Sequence, residues 1–267
     1  MGHRRTGETK ETGLMELLGI EHLSKSYGGL EANSDITFSL QRGELIGVIG
    51  PNGAGKTTLF NCIAGLHPVT SGSIVLDGED ITHLKAHEVA RRGLARTFQV
   101  YAAAGDLTVV ENVMVGCFLR TRSRSDARRR ADQILARFQL DQQADSLVSE
   151  LPVAAQKKVT MATALGTAPK LLLLDEVAAG LNPSEIEEIM AAIRYIHYDL
   201  GTTVMLIEHV MALVMNVCDR LIVLDYGRKI AEGPPDMVAK NPKVIQAYLG
   251  ERYAASRQAD VPQDAQT

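Results

Sequence analysis

The chain has 267 residues, and 28 Lys and Arg stand against 32 Asp and Glu, a formal charge of −4. That balance excludes a mainly electrostatic nucleic-acid binder, which carries a basic surface. Apolar residues make up 45% of the chain but aromatics only 4%, with no Trp, so the core rests on Leu, Ile, Val, Ala and Met.

Residues 1–14 and 251–267 are polar and read as flexible tails around one domain, 15–250. The opening residues MGHRRTGETKETG lack the apolar centre of a secretory signal. No uncharged apolar stretch reaches the ~18 residues of a membrane span. The expectation is a soluble chain able to dock on a membrane partner. Strands are predicted at Leu45–Ile49, Ser73–Leu76, Leu171–Leu174, Thr202–Ile207 and Arg220–Leu224. Their unbroken apolar runs suit a parallel sheet covered on both faces. Helical patterns follow at Lys56–Leu66, Pro183–Leu200 (with Gly201 as its C-terminal stop) and His209–Val217. This alternation predicts an α/β fold with a mostly parallel sheet.

The middle, about 100–165, reads as a helical insertion. Thr108 to Glu111 is a capping-box pattern, and Ser125–Leu140 carries Ile134, Leu135 and Phe138 at helical spacing. The arginine-rich run 120–130, RTRSRSDARRR, admits two readings: a solvated helix face or loop, or contact with acidic lipid headgroups. Cys62, Cys117 and Cys218 lie far apart without C-x-x-C spacing, so buried thiols are expected and neither a zinc site nor a disulfide framework.

The segment Gly50-Pro51-Asn52-Gly53-Ala54-Gly55-Lys56-Thr57-Thr58 fits the phosphate-binding pattern G-x-x-x-x-G-K-[ST]. A predicted strand leads in and a helix leads out, as the mechanism requires. The glycines let backbone wrap a phosphate, and successive N–H groups at a helix N-terminus face negative charge. Lys56 is placed to reach the β- and γ-phosphates and Thr57 to ligate Mg²⁺. After Leu171–Leu174, Asp175 is placed to hold the metal through water and Glu176 to accept a proton from attacking water. His209 follows another strand and reaches the same sheet edge, where it is expected to contact the γ-phosphate and align the water.

In order along the chain, these residues resemble the ATP-binding cassette ATPases of membrane transporters. The resemblance covers about 16–250. It implies that Tyr27, in SKSYGG, stacks on adenine, and that Gln99, in RTFQ, contacts Mg²⁺ or water. Asp175 and Glu176 resemble the Walker B pair, Gly180-Leu181-Asn182-Pro183 the D-loop, and His209 the switch histidine. More narrowly, RTFQ, AAGLNP, LIEHVMALVM and NPKVIQAYLGE look like the cassettes of branched-chain amino-acid importers. The implied fold is a P-loop core with an antiparallel β region and an inserted helical subdomain. The implied cofactors are ATP and Mg²⁺. The implied partners are a second cassette and separate permeases, at the cytoplasmic face of the inner membrane and without nucleic acid.

One segment departs from the family. Where Leu-Ser-x-Gly-Gln is usual, this chain has Leu151-Pro152-Val153-Ala154-Ala155-Gln156. Pro152 removes a hydroxyl and an N–H, and Ala154 adds a methyl. The expectation is asymmetry: an intact P-loop half and an impaired signature face for the partner's ATP. Val177, where proline is usual, is expected to be a minor packing change. Two alternatives remain, a weakly hydrolysing structural cassette and a soluble cassette ATPase outside transport.

Overall fold

The computed structural model describes residues 15–97 and 104–248. Both expected tails, and Gln99, lie outside the described residues. Chain order is β1 Glu16–Tyr27, β2 Leu30–Gln41, β3 Leu45–Ile49, α1 Lys56–Ile63, β4 Ser71–Leu76, β5 Glu79–Asp80, α2 Ala86–Arg91 and β6 Leu94–Arg96. Then come α3 Val109–Cys117, α4 Arg124–Arg137, α5 Val153–Gly166, β7 Leu171–Asp175, α6 Pro183–Arg194, β8 Thr203–Ile207, α7 Met211–Val217, β9 Arg220–Asp225, β10 Arg228–Gly233 and α8 Pro235–Ala239.

The central sheet runs β10-β9-β3-β8-β7-β6, and all its strands are parallel except β10. Side chains alternate between its faces. Leu172, Leu174, Val204 and Leu206 join the core shared with α3–α7, whereas Leu171, Leu173, Met205 and Ile207 join the core under α1 and the second sheet. Burial on both sides is why these strands are uninterrupted apolar runs. The second sheet, β2-β1-β4-β5, is antiparallel and is the expected antiparallel region.

The predicted central strands form within two residues of their expected limits. The helix expected over 183–200 begins as drawn: Asn182 Oδ1 accepts from Glu185 N (3.0 Å) and Glu185 Oε2 accepts from Asn182 N (2.9 Å). It changes to a π-turn at Tyr195–Asp199. Thr108 caps α3 with its box partner Glu111. Helices α3 and α5 meet where a side chain at Gly116 would strike Thr163 O (2.0 Å) and one at Gly166 would strike Cys117 N (2.9 Å), so two glycines permit the close crossing.

Much of the arginine run is used locally. Arg120 donates to Thr167 O (2.6 Å) and Arg91 O (3.1 Å), Arg128 pairs with Asp132 (2.9 Å), and Arg129 with Asp126 (2.6 Å). Arg128 and Arg129 lie on α4, whereas Arg120 lies in the turn before it. The cysteines are buried and free, as expected.

Candidate functional site

Strands β3, β7 and β8 lie together in the sheet, and the segment that follows each one's C-terminal end supplies one part of the site, the edge where open α/β sheets bind ligands. After β3, residues 50–55 curl back before α1. Gly55 has φ +94°, and a side chain there would meet Ala32 O at 2.4 Å and Asn33 Nδ2 at 2.5 Å. Only glycine fits both the angle and the space. Asn33 Nδ2 donates to Gly55 O (3.1 Å), and Gly227 N, in the β9–β10 turn, donates to Ala54 O (3.1 Å). The loop is therefore fixed from outside. The Lys56 ammonium is buried inside it and donates to Gly50 O (2.7 Å) and Pro51 O (2.8 Å).

At the end of β7, the Asp175 side chain is 2% exposed. Its Oδ2 accepts from Arg96 Nη2 at 2.7 Å, while Oδ1 is buried with no hydrogen-bond partner among the described residues. Arg96 also donates to Asn61 Oδ1 on α1 (2.6 Å). Thr97 Oγ1 accepts from Asp175 N (3.1 Å). A carboxylate with one oxygen anchored and the other without a partner fits a hard cation. Among the described residues no cluster of three or more His, Cys, Asp or Glu could hold a metal. A magnesium ion here would draw on the Thr57 hydroxyl, Asp175 and the oxygens of its own ligand.

Glu176 sits in the left-handed region, φ +49°, unusual for a residue with a side chain and a recurring mark of functional turns. Its N–H donates to Ile207 O (2.9 Å). Its Oε1 is 2.6 Å from His209 Nε2, so the two residues singled out from separate strands meet directly. A cleft of about 460 Å³ brings Tyr27, Asn52, Lys56, Thr57, Glu176 and His209 onto one surface. The Tyr27 ring stands edge-on to His67 with centroids 5.7 Å apart, and Lys25 Nζ lies 4.6 Å from its centroid. Its hydroxyl bonds to His67 Nδ1, and partial burial raises its phenol above the usual value.

The altered segment opens α5. Pro152 is the N-cap, extended at ψ 152°. Gln156 holds the turn, its N–H donating to Pro152 O (3.0 Å) and its Nε2 to Leu151 O (2.8 Å). Val153 is exposed, whereas Ala154 is buried, so its methyl is spent inside the chain. Val177 is buried in the core. Three side chains near the site escaped the sequence reading: Arg96, Lys157 and Glu208. For Arg96 the only signal was its place beside Gln99 in RTFQ, and for Glu208 its place before His209.

The model of the ABC transporter family matches residues 33–179, and that of the branched-chain amino acid ATP-binding cassette transporter matches 228–254. The high-affinity branched-chain amino acid transport ATP-binding protein BraF of Pseudomonas aeruginosa is 38% identical over 250 residues, 88% of this chain and 98% of that one. The lipopolysaccharide export system ATP-binding protein LptB of Haemophilus influenzae is 35% identical over 240 residues, 90% and 99%. The crystal structure of MJ1267, an ATP-binding cassette of an ABC transporter in its ADP conformation, superposes with a TM-score of 0.81 at 31% identity, covering 89% of this chain and 100% of that one. Motif order, sheet-edge geometry and these likenesses agree: the chain belongs to the ABC transporter family, as an ATP-hydrolysing cassette subunit.

Proposed function

We propose that this cassette drives an importer for branched-chain amino acids or related solutes, working with a second cassette and separate permease subunits at the cytoplasmic face of the membrane. The family match over 228–254 and the likeness to BraF support the solute class. Among the described residues no helix is long and apolar enough to cross a membrane, which fits a subunit that relies on others for passage.

The triphosphate lies against the amides of residues 50–57, with Lys56 on its outer phosphates and Tyr27 against the base. Thr57 and Asp175 would hold magnesium, which when bound would supply positive charge to neutralise the phosphates. Glu176 takes a proton from the attacking water, and His209 holds that carboxylate through the bond at 2.6 Å. Gln99, outside the described residues, belongs to the same proposal. The Glu176–His209 contact carries the reading, because it joins two sequence-distant residues beside the P-loop.

The signature face is proposed to serve the partner's ATP less well. With Ala154 buried, the weakness rests on Pro152, which offers neither hydroxyl nor N–H. Removing one pre-organised donor typically lowers a rate by about 10²–10³. A heterodimer then has its better site where this P-loop meets the partner's signature.

An apolar groove of about 460 Å³ runs between the core and the helical insertion, lined by Leu66, Leu94, Val115, Leu119 and Thr160, with Arg96 at its wall. We assign it to a cytoplasmic helix of the permease, since Arg96 joins the groove to Asp175 through a 2.7 Å bond.

The test is ATP hydrolysis by the cassette assembled with its partner subunits, wild type against Glu176→Gln. Hydrolysis falls by at least about 10²-fold with nucleotide binding retained. Equal rates would favour the second reading, a weakly hydrolysing nucleotide-binding structural cassette, which Pro152 alone recommends.

A further inference from the structure

We propose that Lys157 and Glu208 act as a clamp that positions the Glu176–His209 pair and ties it to the N-terminal part of α5. This rests on the proposed roles of Glu176 and His209 and adds two positioning residues to them.

Glu208 is 2% exposed, at the end of β8. Its Oε1 accepts from Ala178 N at 2.7 Å, and its Oε2 from His209 N at 3.3 Å. One carboxylate thus pins two backbones: the loop that carries Glu176 and the turn that carries His209. Lys157 enters from α5, and its ammonium donates to Glu176 O at 3.3 Å. Burial pushes the Glu208 carboxyl up and the Lys157 ammonium down; the N–H bonds from Ala178 and His209 offset part of the former, and the opposite charges of the two side chains favour the ionised form of each.

The clamp acts where backbone needs holding. Glu176 is at φ +49°, and such a conformation persists in a residue with a side chain only when its surroundings over-determine it. Three bonds do so: Glu176 N to Ile207 O, Lys157 Nζ to Glu176 O, and Ala178 N to Glu208 Oε1. Lys157 lies five residues after Pro152 in the sequence, about one and a half helical turns along α5 and on the same helix as its opening turn. Movement of that turn, which faces the partner's nucleotide in the proposed dimer, therefore reaches this chain's own Glu176 carbonyl. The clamp is a direct link from one ATP site to the other.

The experiment compares wild type, Glu208→Gln, Lys157→Met, Lys157→Arg and the double variant Lys157→Met with Glu208→Gln, in the assembled transporter. It reads kcat, KM, equilibrium binding of a fluorescent ATP analogue with magnesium, and the thermal midpoint. Misplacing a reacting group by an ångström costs up to about 10² in rate. Glu208→Gln and Lys157→Met lower kcat about 10- to 100-fold, with KM and analogue binding within twofold of wild type. Lys157→Arg recovers kcat to within about threefold, and the double variant falls no further than the worse single one, as expected for two ends of one device. Wild-type kcat in Lys157→Met, or losses that multiply in the double variant, would overturn the clamp. Should Glu208→Gln fail to fold, the Met and Arg variants at Lys157, on a half-buried surface, decide alone. A turnover lost in Glu176→Gln but normal in Lys157→Met sinks the clamp only; turnover retained in Glu176→Gln sinks the reading beneath it.

Discussion

The sheet edge and the start of α5 are both places where backbone N–H groups and short side chains meet phosphate in the proposed dimer, yet they are built to different standards. At the edge, each device has support: Gly55 is locked by Asn33, Asp175 by Arg96, and Glu176 by His209. At the start of α5, Pro152 occupies the cap without a side-chain acceptor or an N–H, and Gln156 braces the turn. The difference underlies the proposed asymmetry, in which one cassette keeps its own catalytic half while weakening the half it lends. In that proposal the cost falls on the partner's ATP and not on its own.

The largest effect expected of breaking the strong side is at Lys56. Lys56→Ala removes a charged donor from the phosphates, and ATP affinity measured by equilibrium binding drops about 10²-fold; an unchanged affinity would detach the P-loop from the site. Asp175→Asn comes next. It keeps the shape but discards the charge for the metal, so the magnesium concentration at half-saturation in a binding titration rises about tenfold, while metal-free ATP binding stays near wild type. A smaller effect concerns assembly. Val115 is 58% exposed at the groove, and Val115→Glu should reduce co-purification with the permease subunits several-fold without altering nucleotide binding; intact assembly would move the docking surface elsewhere. The smallest is local stability. Asn182→Ala deletes the cap of α6 and lowers unfolding free energy by about 1 kcal/mol in a denaturant titration.

What was readable in the sequence follows from how local each signal is. The run Leu171–Leu174 announces a strand because both faces of the sheet are covered. The residues Gly50–Thr58 announce a phosphate loop because turn, donor and metal ligand are neighbours in sequence. Strands β1 and β2 gave no such signal: bulges interrupt their pairing, and His22 and Asp35 take positive φ, so the alternation of apolar residues is broken. Arg96 and Asp175 are 79 residues apart, and Lys157 and Glu208 belong to elements that meet only through folding, so composition and spacing could not pair them. Ala154 was read as an intrusion on the signature face, whereas its burial removes that part of the argument and leaves Pro152 to carry it.

The comparison between the two halves is tested most directly by replacing Pro152, Ala154 and Ala155 with Ser, Gly and Gln together and measuring ATP turnover in the transporter reconstituted with its partner subunits. A rise of at least about tenfold, toward the 10²–10³ that one pre-organised donor commands, is the expected result. Turnover equal to wild type, with the triple variant folded and assembled, would mean that the helix end already serves the partner's phosphate fully and that the two halves are equals.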